Sequence, residues 1–263
     1  MSNTKNDEML FTFEGMTSIS SLIKAVETNP NARKIEKIIF DESKKSSNYS
    51  RIKFLRAKSE EIGFALEARP EEYISSVTNG NTHGGFVAFC QKKDYPSLTE
   101  DNIKKDGIYF ILEGIEDPFN FGYTLRSLYT ASVDGIILPP RNWTDCTSVV
   151  CRSSAGASEL ANIYVQELTE AVKLLKSQGV RIVCANIKDS ESLYEADISA
   201  PIAFIIGGEK RGISRSLMDL ADSNIRIDYA VDFKGSLPTA SAATLMAFEC
   251  AKANNKFNKK LLN

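Results

Sequence analysis

Short apolar runs bounded by polar turns alternate along this chain with stretches whose apolar residues recur every three or four positions. The first rhythm fits half- or fully buried strands and the second fits amphipathic helices. "TSISSLIKAVETN" (17–29) predicts a short helix, "KIEKIIFDE" (34–42) a strand and "SRIKFLRAKSEEIG" (50–63) a helix. "FALEAR", "PEEYISSVTN" and "GGFVAFC" then predict strand, short helix and strand. This alternation describes a small α/β domain over residues 1–92. A polar stretch, "QKKDYPSLTEDNIKKDG" (91–107), follows, and we place a linker at 93–106.

From 107 to 263 the pattern is more regular. Apolar strands are predicted at "IYFILEG" (108–114), "DGIILPP" (134–140), "RIVCA" (181–185), "PIAFIIG" (201–207) and "NIRIDYA" (224–230). Helices are predicted near 120–132, 147–152, 158–177, 213–221 and 239–256, with Ser236 as a cap and Pro238 in the first turn of the last one. Near-continuous apolar strands separated by helices imply a mostly parallel sheet with helices on both faces, its ligand outside the strand carboxyl ends.

The composition, 43% apolar and 25% charged, is that of a folded chain, and the formal charge of −2 excludes a global polycation. The start has no apolar core of the signal-peptide kind, and no stretch approaches a membrane span. Five scattered cysteines without a CxxC pair (Cys90, Cys146, Cys151, Cys184, Cys250) fit free thiols in a reducing compartment, so a cytoplasmic location is expected. One histidine, His83, argues against a zinc site, and neither a P-loop nor a GxGxxG fingerprint is present. A nucleotide-dependent metabolic enzyme on an ordinary doubly wound sheet therefore lacks its expected loop.

Three loops after predicted strands carry candidate chemistry. In "LEGIEDPFNFGYTLRSLY" (112–129), Asn120 lies near a helix start and Arg126 six positions further, about 240° around the helix, so they form no simple same-face pair. Arg126 either reaches back to the strand end or pairs on the surface with Glu116 or Asp117. In "FIIGGEKRGIS", Gly207 and Gly208 permit tight backbone and close ligand approach, while Glu209 is either part of a site or simply solvated. In "FKGSLPTASAA", Gly235, Ser236 and Leu237 precede a small-residue helix and expose backbone N–H groups, which helix capping alone also explains.

Together these stretches resemble the signature motifs of the knotted SPOUT superfamily of RNA methyltransferases, in its TrmH/SpoU-like branch that methylates ribose 2′-hydroxyls. "LEGIEDPFNFGYTLRSLYTASVDGIILP" is similar to the first motif, "FIIGGEKRGISRSLMDLADSNIRID" to the second and "GSLPTASAATLMAFE" to the third. "SSAGASEL" resembles the family's connecting segment, and the N-terminal part resembles its ribosomal-protein-like RNA-binding domain. The resemblance implies a deep trefoil knot in the C-terminal domain, a homodimer through that domain, and S-adenosylmethionine as cofactor without a metal. It also implies structured ribosomal or transfer RNA as substrate.

Under that resemblance, Arg126, Asn120 and Glu209 are the catalytic candidates. Ala185, Asn186, Gly207, Gly208, Ile227, Ser236 and Leu237 are those for the cofactor. Arg126, permanently protonated, is expected to stabilise a developing alkoxide rather than act as an ordinary base. For RNA, residues 33–58 carry nine basic side chains (Arg33, Lys34, Lys37, Lys44, Lys45, Arg51, Lys53, Arg56, Lys58) against three acidic ones, a local net charge of +6. One departure stands out. Pro238 and Ala240 occupy positions where the family usually has Asn and Ser, which leaves open an RNA-binding member with weak or lost transfer.

Overall fold

The computed structural model describes residues 10–79, 83–141 and 147–257. The described chain divides into two compact units at Asp94/Tyr95, with residues 147–160 belonging to the first unit and the remainder to the second.

In the first unit, β1 (Phe11–Glu14) leads directly into α1 (Gly15–Thr28) through Gly15 at φ 81°. There follow β2 (Ile35–Asp41), α2 (Tyr49–Ile62), β3 (Ala65–Arg69), α3 (Glu71–Ser76) and β4 (Phe86–Cys90). The sheet order is β1-β4-β2-β3, with β4 antiparallel to both neighbours and β2 parallel to β3. Helix α1 buries Ile19, Leu22 and Ile23 at helical spacing, and α2 buries Ile52 and Leu55. Helix α2 stops at Gly63, whose left-handed φ of 92° lets its N–H reach the Ser59 carbonyl.

Helices α5 (Thr147–Ser153) and α6 (Ala157–Leu160) complete this unit. Sequence patterning assigns them to the C-terminal domain; instead they pack on α1 and β1, with Cys151 in the same core as Phe13 and Phe86. The glycine of "SSAGASEL" explains part of this. Gly156 (φ 84°) lies where any Cβ would overlap the Ser21 side chain. A buried charge cluster explains more. The Arg33 guanidinium grips Glu159 through Nε (2.9 Å) and Nη2 (3.3 Å), and the ammonium of buried Lys93 stands 3.9 Å from the same carboxylate. Arg33 also donates to the Gln91 carbonyl and stacks over Phe13. The predicted linker at 93–106 is likewise not a free tether. Lys93 is locked in this cluster, while Leu98 enters the core of the second unit.

The second unit runs β5 (Ile108–Leu112), α4 (Pro118–Thr130), β6 (Gly135–Leu138), β7 (Ile163–Val165), α7 (Leu168–Ser177), β8 (Arg181–Ala185), β9 (Glu191–Ser192), β10 (Ile202–Ile206), α8 (Arg215–Met218), β11 (Ser223–Arg226) and α9 (Thr239–Ala253). Its seven strands are ordered β7-β6-β5-β10-β8-β11-β9, and every pairing is parallel. The central strands β5 and β10 are buried over all five residues, as a sheet covered on both faces requires. Tyr109, Ile111 and Ile205 join Val172 and Leu175 of α7 in one core layer, while alternate residues, including the stacked pair Phe110–Phe204, point to the other face.

The predicted helix over 158–177 is broken. "IYV" forms β7, with Ile163 and Tyr164 buried beside β6, so pairing overrides a continuous helical reading. Helix α8 is shorter than predicted, and β1 and β9 are additions. At α9 the N-cap is Pro238 itself, whose carbonyl accepts from Ser241 and Ala242; Ser236 makes no cap. Among the described residues no helix is long and apolar enough to cross a membrane, and Cys90, Cys151, Cys184 and Cys250 are free and buried. Cys146 lies outside the described residues.

Candidate active site

The loops leaving β5, β10, β8 and β11 all emerge from the carboxyl ends of parallel strands in the second unit, where such sheets bind ligands. After β5, Gly114 takes φ 82° and faces Gly208. Asp117 then caps α4 by accepting from the Asn120 N–H at 2.7 Å, with Pro118 in the first helical position. Capping fixes Asn120 in the first turn, and its Nδ2 donates to Glu209 Oε1 at 3.0 Å. The Asn120 Oδ1 atom has no hydrogen-bond partner among the described residues.

The glycine pair after β10 answers to backbone packing. A Cβ on Gly208 would stand 2.6 Å from the Gly114 carbonyl carbon, and one on Gly207 would meet the Gly212 carbonyl oxygen at 2.6 Å and the Ile213 nitrogen at 2.7 Å. Gly208 and Gly212 close the loop on itself by a bridge, the Gly212 N–H donating to the Gly208 carbonyl at 2.9 Å. Lys210 pairs with Glu116 at 2.6 Å, tying the second loop to the first a second time. That ammonium holds the exposed Glu116 carboxyl below its ordinary range.

The third loop is held at two points. Leu237 N–H donates to the Tyr229 hydroxyl (3.0 Å), and the Thr239 hydroxyl donates to the Gly207 carbonyl (3.1 Å). Thr239 is buried where Pro238 and Ala240 leave no side-chain hydrogen bonding, whereas Ser241 is exposed. Thus the missing polar groups are not replaced in kind; one threonine hydroxyl clamps the loop instead.

Together these loops enclose a cavity of about 780 Å³. All seven cofactor candidates (Ala185, Asn186, Gly207, Gly208, Ile227, Ser236 and Leu237) line it. Ile206, Ile213, Ile225 and Met246 add apolar wall, and Asp228 and Glu209 supply carboxylates. A smaller pocket of about 110 Å³, lined by Asn120, Glu116, Glu209 and Lys210, adjoins it; Glu209 and Thr239 line both. Tyr229, Thr239 and Lys210 were missed as functional residues because their roles depend on hydrogen bonds between loops. Only the position of Thr239 beside the altered Pro238 hinted at it.

Arg126 is placed differently from its proposed partners. It is exposed on α4 and lines neither cavity, and among the described residues its side chain makes no hydrogen bond or ion pair, either with Glu116 or with Asp117. The structure therefore brings Asn120 and Glu209 together and leaves Arg126 outside that pair within one chain.

The basic stretch of the first unit is also redistributed. Arg33 is buried in the Glu159 cluster, which removes it from any RNA-facing surface and corrects the expectation drawn from local charge. Lys34 pairs with Glu36, Lys44 with Asp41 and Glu71, and Lys58 with Glu27 and Glu61, while Lys37 lies over the Phe89 ring. Lys45, Arg51, Lys53 and Arg56 are exposed and form no ion pair among the described residues.

A fully parallel α/β sheet whose carboxyl-end loops close over one ligand-sized cavity, preceded by a small α/β unit with exposed cations, defines the class. The chain belongs to the SpoU rRNA Methylase family, whose model matches residues 107–248. It is 31% identical over 220 residues to a Staphylococcus aureus protein named as a TrmH family tRNA/rRNA methyltransferase, covering 82% of this chain and 87% of that one. The fold matches an AdoMet-bound rRNA methyltransferase from Sinorhizobium meliloti with a TM-score of 0.76 at 23% identity, covering 92% of this chain and 87% of the other. It also matches the SpoU methyltransferase AviRb from Streptomyces viridochromogenes in complex with AdoMet (TM-score 0.71, 19% identity, 92% and 90% covered).

Proposed function

We propose that this protein transfers a methyl group from S-adenosylmethionine to a ribose 2′-hydroxyl of structured RNA, ribosomal RNA foremost and transfer RNA as the alternative. One observation carries the reading: seven residues from separate loops, selected as cofactor contacts, line a single cavity beside the Asn120–Glu209 pair. The cavity suits the cofactor. Its volume lies in the range of small-molecule sites, Ile206, Ile213, Ile225 and Met246 offer apolar wall to an adenosyl group, and its charged lining sets Glu209 and Asp228 among Arg211, Arg226 and Lys234. The AdoMet complexes of two proteins sharing the fold support the same assignment.

Bound there, the cofactor supplies a methyl group already activated on a sulfonium. The chain's own residues position the acceptor and stabilise the charge that develops on its oxygen. Glu209 orients the Asn120 amide, so that Oδ1, without a partner among the described residues, can accept a hydrogen bond from the ribose or its neighbour. The Arg126 guanidinium offers donors to an alkoxide and the adjoining phosphate. Because Arg126 is exposed on α4, we assign its action to a homodimer formed through this unit. Exposed Phe119 and Tyr123 of α4, with Leu245 and Phe248 of α9, form the apolar face expected of such an interface.

A second reading, RNA binding without transfer, is favoured by the third motif, where Pro238 offers no amide and Leu237 N–H is occupied by Tyr229. Calorimetry with S-adenosylmethionine combined with labelled-methyl transfer to unmodified RNA separates the two. Wild type binds and transfers, and Arg126→Ala binds equally but transfers poorly. Absence of cofactor binding defeats the enzyme reading, and equal transfer by Arg126→Ala removes that residue from the catalytic set.

A further inference from the structure

Two cations in the lining of the large cavity of the second unit have no counter-charge. Asp228 is paired with Arg226 Nε at 2.7 Å, and Glu209 accepts from the Asn120 amide. Arg211 and Lys234 line the same cavity, are exposed, and make no ion pair or side-chain hydrogen bond among the described residues. Next to Lys234, Phe233 also lines the cavity and is 59% exposed, whereas the apolar wall of Ile206, Ile225 and Met246 is buried. Asp232, the residue before Phe233, does not line the cavity. The Phe233 ring is seated by its own loop. The Tyr229 ring stands 6.1 Å away at 53°, its hydroxyl held by Leu237 N–H, and a Cβ on Gly235 would lie 2.6 Å from Phe233 Cε1 and Cζ. Gly235 takes no left-handed φ, so clearance for the ring is what favours glycine there.

We propose that Phe233 is a stacking platform for the base of the nucleotide whose ribose is methylated, with Lys234 and Arg211 as donors to its flanking phosphates. An exposed aromatic beside unpaired cations suits an unstacked nucleotide, the ring meeting the face of the base and the cations its backbone. The cofactor is the competing occupant of that ring, and two observations assign it elsewhere. An adenosyl group seated on the buried wall leaves the mouth open, and the acceptor must enter there for its 2′-oxygen to reach the methyl group. S-adenosylmethionine also carries a net positive charge, so surplus cations suit the polyanionic RNA rather than the cofactor. Stacking is tolerant of sequence, because every base has a π-face; the platform positions the acceptor without selecting which base it carries. The inference rests on the RNA methyltransferase reading and adds to it a substrate-binding residue in the second unit.

In the full-length protein, Phe233→Ala and Phe233→Leu should each raise the KM for unmodified ribosomal RNA about tenfold, as loss of one stacked base does, while the S-adenosylmethionine Kd stays within about twofold of wild type. Phe233→Tyr keeps a π-face and should restore the KM. Leucine keeps apolar bulk, so an unchanged KM in Phe233→Leu makes the residue a packing element and overturns the proposal. Phe233→Trp in a Trp143→Phe background reads the contact directly, since Trp143 is the only tryptophan of the chain. RNA should quench that fluorescence saturably, and S-adenosylmethionine alone should not. Quenching by the cofactor alone, with a raised cofactor Kd in Phe233→Ala, makes the ring a cofactor wall and overturns the proposal. A change of oligomeric state in Phe233→Ala with the RNA KM unchanged makes it an interface residue and overturns the proposal too. If RNA quenches the reporter while no cofactor binds, the base platform stands and the methyltransferase reading falls; methyl transfer with an unquenched reporter rejects the platform alone.

Discussion

Gly208→Ala is the substitution most sharply constrained by the geometry of the site. The added methyl would lie 2.6 Å from the carbonyl carbon and 3.0 Å from the Cα of Gly114, well inside the 3.4–4 Å of ordinary contact. Both neighbours are backbone, so no side chain can rotate away and the two loops must separate. Overpacking of this kind costs about 1–3 kcal/mol. Separation pulls Glu209 from Asn120 and Lys210 from Glu116, because both contacts span the loops that are forced apart. If most of that cost is relieved by distorting the empty site and must be restored on binding, the S-adenosylmethionine Kd rises about tenfold, since each 1.4 kcal/mol is a factor of ten. Calorimetry on wild type and Gly208→Ala, with thermal melts to verify folding, measures it. A folded variant whose Kd stays within about twofold of wild type refutes the idea that this close approach shapes the cavity.

Thr239→Val keeps the volume but removes the hydroxyl bond to Gly207, a net loss of about 1 kcal/mol; cofactor affinity should fall about fivefold, and Thr239→Ser should restore it, read by the same calorimetry. Glu159→Gln leaves Arg33 and Lys93 buried without their counter-charge and should cost the first unit about 3–5 kcal/mol in denaturant unfolding, with cofactor affinity unchanged. Burial pushes the Glu159 carboxyl up, but Arg33, Lys93 and the Ser158 hydroxyl outweigh it and hold the group below its ordinary value. A depressed carboxyl stabilises the fold above the ordinary carboxylate range, and that contribution disappears as pH falls through the folded value. Acid unfolding of the first unit should therefore depend on pH in wild type and lose this component in Glu159→Gln. Burial raises the thiols of Cys151 and Cys250 to about 12 and that of Cys184 to about 11, so alkylation followed by peptide mass spectrometry should leave them unlabelled until denaturant is added.

The elements most legible in the chain were those whose residues bury on both faces. β5, β8 and β10 are apolar runs bounded by turn residues, and their observed limits fall within a residue or two of the pattern. The loops at their ends were legible through glycines, although Gly207 and Gly208 prove to serve backbone-to-backbone packing as well as the cavity wall. What periodicity cannot show is a partner distant in the chain. Arg33 reads as one cation among nine until Glu159, 126 positions away, meets it in the core. The same pairing draws residues 147–160 into the first unit, against the simple division into consecutive domains. β7 was hidden because "IYV" lies between two helical stretches and becomes a strand only by pairing with β6. Arg126 was legible as a residue type, but its exposure on α4, away from both cavities, depends on how that helix packs.

The most direct test of ribose methylation by this chain is to incubate the full-length protein with isotope-labelled S-adenosylmethionine and ribosomal RNA lacking the native modification, digest the RNA to nucleosides, and identify the labelled species by mass spectrometry. The label should appear in a 2′-O-methylnucleoside and vanish with Arg126→Ala. Label on a base, or none at all despite measurable cofactor binding, would contradict ribose methylation by this site.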